Sequence, residues 1–213
     1  MKITIIYDNE VYKKELEPDW GFSCLAEVEN APRILFDTGA NGRILLSNMK
    51  KLGIYPGSID EVFISHPHFD HVGGLSDFLG VNKEVKLYVP TSFSAPSDVK
   101  EVISIKEAQQ IHENIFSTGE LGGIEQSLVV KTGKGLVVIV GCSHPGVRDI
   151  LEAASQFGKP YALIGGLHGF SEFDLVKDLG LICPIHCTQY KSEIRARYPE
   201  KCTEGGAGKV IQL

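Results

Sequence analysis

The chain has 213 residues, 43% hydrophobic and 23% charged, the balance of an ordinary globular protein with enough apolar residues to bury a core. Its net charge of −6, with no basic block, argues against a nucleic-acid partner. No apolar run approaches the ~20 residues of a membrane span, so a small-molecule partner is expected, with oligomeric state left open. The N-terminal "MKITIIYDNE" has too short an apolar part for a signal peptide. Five cysteines without a paired framework suggest reduced thiols and a cytoplasmic location.

In chain order, Ile3 to Tyr7 and Cys24 to Val28 read as strands, and Ile34 to Phe36 as a short buried strand ending at "DTG". Gly42 to Leu52 carries helical spacing (Ile44, Leu45, Asn48, Leu52), closed by Gly53. Val62 to Ile64 is a strand that runs into "SHPHFDHVGG". Further strands are expected at Lys86 to Val89, Gln126 to Lys131 and Gly135 to Val140, the last two joined by the hairpin signal "KTGKG". Then follow a helix (Val147 to Phe157), a strand (Tyr161 to Ile164), a helix (Phe173 to Leu179), a strand (Leu181 to Ile185), a helix (Ser192 to Tyr198) and a closing strand (Val210 to Leu213). No linker or low-complexity run interrupts residues 1–213, which read as one domain. Two βαβ-like stretches separated by hairpin-like strands indicate a mixed α/β sandwich.

The chemistry is concentrated at "HPHFDH". Pro67 fixes its own φ and biases His66 to extended backbone. His66 and His68, two apart, then point to one side and can grip one ion. Asp70 and His71 follow as the chain turns, aimed at a neighbouring place, an arrangement that suits two adjacent metals. Imidazole and carboxylate favour zinc, iron or manganese over calcium or magnesium. His144 in "VIVGCSHPG", His168 in "ALIGGLHG" and His186 in "LICPIHCT" each follow an apolar strand and sit among turn formers. Histidines at strand ends converge on one rim of a sheet. Only His112, in "EAQQIHENI", lacks that setting and reads as an ordinary surface or core histidine.

HxHxDH after a strand, single histidines at later strand ends, "ILFDTG" and "GKVIQL" together resemble the metallo-β-lactamase superfamily over nearly the whole chain. The resemblance implies a four-layer αββα sandwich of two mixed sheets with a dinuclear site at one edge, zinc being the foremost metal and iron or manganese acceptable. Carried over by residue, His66, His68 and His144 would hold the first ion, and Asp70, His71 and His186 the second. Asp37 would orient a ligand histidine. Many relatives place a bridging aspartate at the fourth motif, where this chain has "GGLHG" with His168. A neutral imidazole offers one lone pair to the ions and cannot bridge as a carboxylate does, so His168 is expected to bind one ion or to contact substrate as a catalytic group. This pattern looks most like the branch containing a methanopterin-pathway dihydropterin synthase and proteins called metal-dependent hydrolases.

The resemblance implies a hydrolase that uses a metal-activated water on an ester, lactone, amide or phosphoester, with Asp70 orienting that water or taking its proton. The alternative is a transferase-like synthase that condenses a pterin diphosphate with an aryl amine. A di-metal redox protein is disfavoured, because such relatives carry a flavodoxin-like domain and a glutamate in the metal motif. Phe69 is a wall of the substrate pocket or a core ring. Substrate contacts are expected from Asp19 to Ser23, Pro90 to Asp98 and Gly169 to Asp174. Cys142, two before His144, faces the same way in a strand, with packing as its expected role. Cys183 and Cys187 read as buried small hydrophobes. "GGAGK" lacks the strand, the Ser/Thr and the setting of a phosphate loop.

Overall fold

The structure, a computed structural model, describes all 213 residues. Seven strands form the first sheet: β1 (Lys2–Tyr7), β2 (Ser23–Glu27), β3 (Ile34–Phe36), β4 (Glu61–Phe63), β5 (Lys86–Pro90), β6 (Glu101–Ile105) and, from the far end of the chain, β13 (Val210–Gln212). Their order is β13-β1-β2-β3-β4-β5-β6. The second sheet holds β7 (Gln109–His112), β8 (Ile115–Ser117), β9 (Leu128–Thr132), β10 (Gly135–Val140), β11 (Pro160–Gly166) and β12 (Leu181–Ile185), in the order β12-β11-β10-β9-β8-β7. Both sheets are mixed. β3 to β6 run parallel in the first and β10 to β12 in the second.

Parallel neighbours need crossovers, and helices supply three of them, whereas β5 joins β6 without a helix and β11 joins β12 through a 3-10 turn. Helix α1 (Gly42–Lys51) links β3 to β4. The short α2 (Phe69–Val72) and α3 (Leu75–Val81) link β4 to β5, and α4 (Val147–Ser155) links β10 to β11. Helix α5 (Lys191–Arg197) follows β12. Alternate strand residues face opposite ways, so each sheet carries two apolar faces. Ile3, Ile5, Phe36 and Phe63 of one sheet meet Val137, Ile139, Ile164 and Ile185 of the other in the inner core. Outside the first sheet, Ile44, Leu45, Met49 and Phe78 of α1 and α3 cover Leu35, Val62 and Leu87. Outside the second, Val147, Ile150 and Ile194 cover Val138, Leu163 and Ile182. This is the expected αββα sandwich. Each such side chain gains ~1.5–3 kcal/mol from burial.

Helix α1 ends as its sequence implies. Asn41 Oδ1 accepts from the backbone N–H of Arg43 at 3.0 Å, which satisfies a free donor of the first turn. Gly53 takes φ +71°, and Ile54 N bonds Met49 O at 2.8 Å, the glycine-closed C-terminus.

One expected element needs correction. Phe173 to Leu179 is not an α-helix: only a 3-10 turn forms, Phe173–Val176. Gly180 then lies against the Tyr161 ring, where a Cβ would come within 2.1 Å. Strands β6, β7 and β8 escape the hydrophobic pattern, because "EVISI" and "QQIH" are largely exposed and "IFS" has three residues. Helix α3, in "LSDFLGV", follows directly on Gly73 and Gly74. "GGAGK" pairs with the N-terminal region, Ala207 O accepting from Tyr12 N at 2.9 Å, and a strand follows it.

Candidate metal centre

The parallel strands of both sheets end at one rim. Asp37 follows β3; Ser65, His66, His68, Asp70 and His71 follow β4; Cys142 and His144 follow β10; His168 follows β11; His186 follows β12. Sharp turns are needed to bring side chains from strand ends into one place. Asp37, Ser143, His168 and His186 accordingly take φ of +53°, +61°, +44° and +51°, a region that costs non-glycine residues about 1–3 kcal/mol each. Gly73 and Gly74 serve close approach: a Cβ on either would strike the backbone of Ala40 or Thr38.

His68 is extended, at φ −67° and ψ 145°, as the proline implies, and Asp70 and His71 lie in α2. Two donor groups result. Asp70, His71, Cys142 and His186 place one ligand atom each within 4.8 Å of one another, as do His66, Cys142 and His144. His68 is exposed; its ring packs at 4.6 Å on those of both His66 and His144. His71 Nε2 stands 3.2 Å from His186 Nε2, and His186 Nε2 stands 3.2 Å from Asp70 Oδ2.

The outer hydrogen bonds set which nitrogen faces inward. Buried Asp37 Oδ2 accepts from His71 Nδ1 at 2.7 Å, leaving the Nε2 lone pair inward. The same oxygen accepts from Ser65 Oγ at 2.6 Å, so Ser65 Oγ in turn accepts from His66 Nδ1 at 2.9 Å. Asn9 Oδ1 does the same for His186 Nδ1 at 3.0 Å. These tautomers follow from the network of partners. Nε2 of His66 and of His144 is buried without a partner. Buried polar atoms are normally satisfied, so two orphaned lone pairs facing one cluster of donors fit a metal. Burial and the neighbouring imidazoles hold His66, His71 and His144 below the usual imidazole range, hence neutral. Burial pushes Asp70 up, but His186 and His71 outweigh it and hold the carboxyl below its usual range.

Sequence reasoning missed several groups. Glu125, buried and outside any motif, takes four backbone N–H bonds: Gly141, Cys142 and Ser143 at 3.0 Å on Oε1, and His144 at 2.8 Å on Oε2. It clamps the turn that carries Cys142 and His144. Burial pushes its carboxyl up to about 7 against the pull of those donors. Trp20 Nε1 donates to Asp70 Oδ2 at 2.9 Å, and its ring lies 5.2 Å from that of His186. Cys142 departs from the expected packing role: its Sγ lies 3.3 Å from His71 Nε2 and 3.2 Å from Cys187 Sγ. Cys183 does sit in the inner core, whereas Cys187 faces the site. Phe69 is 71% exposed beside Asp70, not a core ring. His168 is exposed, joins neither donor group, and lines a cavity of about 340 Å³ with His144, Phe170 and Glu172; its ring is 5.3 Å from that of His144. His112 lies far from this rim, bonded to Glu61 at 2.8 Å.

A sandwich of two mixed sheets with this histidine cluster at one rim defines a metal-binding fold. The metallo-beta-lactamase superfamily profile matches residues 23–145, and the chain belongs to that superfamily. Among its relatives is the 7,8-dihydropterin-6-methyl-4-(beta-D-ribofuranosyl)-aminobenzene-5'-phosphate synthase of Methanocaldococcus jannaschii, 29% identical over 280 aligned positions that cover 99% of this chain and 95% of the relative. The structure is similar to Tm1679, a metal-dependent hydrolase of the beta-lactamase superfamily, with TM-score 0.80 at 25% identity, covering 100% and 99% of the two chains. It shares its fold with zinc-bound PqqB from Methylobacterium extorquens, with TM-score 0.68 at 14% identity over the full length of both. No helix is long and apolar enough to cross a membrane.

Proposed function

We propose that the chain is a metal-dependent synthase of dihydropterin chemistry, joining the methyl carbon of a dihydropterin methyl diphosphate to an aryl amine. The observation that carries this reading is the pair of exposed aromatic rings at the metal rim. Trp20 is 58% and Phe69 71% exposed, the first bonded to Asp70 and the second its chain neighbour, and flat apolar faces of this kind can stack a planar heterocycle. The dihydropterin synthase relative, matched end to end, supports the substrate class.

In this reading His66, His68 and His144 would hold one divalent ion and Asp70, His71 and His186 a second, zinc being the first choice. Bound ions supply Lewis-acid charge that stabilises the diphosphate as it leaves. Trp20 and Phe69 stack the pterin, and the indole N–H keeps Asp70 Oδ2 in place. His168, outside the donor groups, is free to take the proton from the amine as its nitrogen bonds to the methyl carbon. The second reading, a hydrolase acting on an ester, lactone, amide or phosphoester, is supported by the likeness to Tm1679.

The test is to load the purified protein with zinc, manganese or ferrous iron and supply dihydropterin methyl diphosphate with an aryl amine. Product with a new C–N bond, absent from the Asp70→Asn variant, is expected. Release of diphosphate without condensation, or turnover of lactones and phosphoesters alone, would establish the hydrolase instead.

A further inference from the structure

The two donor groups share one member. Cys142 Sγ belongs both to the set of Asp70, His71 and His186 and to the set of His66 and His144. We propose that Cys142 is a metal ligand, its sulfur shared between the two ions; this rests on the metal-binding reading of the site.

The competing explanation is a small packing residue, and the surroundings argue against it. Cys142 is 3% exposed, yet it joins none of the three hydrophobic clusters. Its sulfur meets an imidazole nitrogen and a thiol. Glu125 fixes the backbone on its own N–H, and the left-handed Ser143 turns the chain so that Cys142 and His144 both face the donor cluster. The orphaned Nε2 of fully buried His66 is an independent sign that a ligand completes this place.

The chain also needs an anion there. No carboxylate stands at the end of β11, which closes on Gly165 and Gly166, or in the Leu167–His168–Gly169 that follows. A Cβ on Gly166 would come within 2.5 Å of Gly141 O, 2.7 Å of Cys187 Sγ and 3.3 Å of Cys142 Cα, so the two cysteines and the turn before them occupy space that a side chain from that strand would need. A thiolate has lone pairs enough for two ions. Binding releases the Cys142 thiol proton to solvent as the sulfur–metal bonds form. Cys187, 3.2 Å away, is placed to donate its S–H to that sulfur and orient it. A sulfur ligand favours zinc over the harder manganese, which makes the site selective by composition.

Zinc-loaded wild-type protein, studied by X-ray absorption, should show a sulfur neighbour near ~2.3 Å, at one sulfur per zinc when two ions are bound. Half a sulfur per zinc would overturn the sharing, and none would overturn ligation. Cobalt substitution gives the second readout. A thiolate-to-cobalt charge-transfer band is expected in wild type and in Cys187→Ser, and its loss in Cys142→Ser with folded circular dichroism retained. A band that survives in Cys142→Ser and vanishes in Cys187→Ser would reassign the ligand. Cobalt bound without any band would reject the inference and leave the metal reading standing, whereas failure to bind any metal would remove both.

Discussion

Asp37 and His71 meet at 2.7 Å, Oδ2 to Nδ1, with both side chains wholly shielded from solvent. The carboxylate holds the imidazole in the one tautomer that presents Nε2 to Asp70, Cys142 and His186. Through Ser65 it does the same for His66. One residue just after β3 therefore sets the inward-facing nitrogen of a histidine in each donor group.

Asp37→Asn puts an amide where three donors now converge, His71 Nδ1 and Ser65 Oγ on Oδ2 and the Ser65 N–H on Oδ1. The NH2 side of the amide cannot accept, so either His71 and Ser65 Oγ together or the Ser65 N–H lose their acceptor. Metal affinity should fall by about 10- to 100-fold, read by competition with a chromophoric chelator. An unchanged affinity in a folded variant would show that the histidines need no such support.

The Glu125 clamp makes a separate claim. In Glu125→Gln the amide oxygen can keep the three N–H groups on one side, but its NH2 then faces the His144 N–H. The mismatch should cost about 1–3 kcal/mol, seen as a lower urea midpoint at unchanged m-value, together with weaker metal binding in the group that contains His144. A variant as stable as wild type would place the turn's stability elsewhere.

Asp8 offers a pH test in metal-free protein. It is fully buried, its Oδ1 accepting from His186 N at 2.9 Å and its Oδ2 unpartnered, and burial pushes its carboxyl up to about 6. The folded value exceeds the unfolded value of about 3.9. Its contribution to stability is therefore complete below about pH 4 and is lost as pH rises through about 6. Relative to Asp8→Asn, wild type should lose up to about 3 kcal/mol across that window. Parallel stability curves for the two proteins, followed by urea unfolding at each pH, would reject this.

His168→Ala separates ligand from substrate contact. The ring lies outside both donor groups and lines the open cavity beside His144. Metal content should stay at the wild-type level while turnover falls by about 10²- to 10⁴-fold. Loss of one ion on this substitution would make His168 a ligand.

Much of this rim was legible because each histidine follows an apolar strand, and strand ends meet where parallel strands share a direction. "HPHFDH" announces its geometry through Pro67. Glu125 was not legible: its partners are backbone N–H groups, which leave no mark in sequence. Cys142 and Cys187 stand 45 positions apart and meet only because their strands end at one rim. Cys142 did carry a signal, its spacing of two from His144, and the ordinary tendency of cysteine to pack outweighed it. Trp20 fell within a stretch expected to touch substrate, but its bond to Asp70 depends on Gly21, where a Cβ would come within 2.5 Å of the Asp70 carbonyl.

The donors come from both sheets: His66, His68, Asp70 and His71 behind β4, and Cys142, His144 and His186 behind β10 and β12. An ion that takes ligands from each is a cross-link between the layers, one that the unfolded chain lacks. By mass action such an ion adds about 2.7 kcal/mol when its free concentration is a hundred times its dissociation constant. Were such an ion bound, its removal would loosen the seam between the sheets and expose the inner core to proteolysis. The amount of protein in a cell, and not its turnover alone, would follow the metal supply.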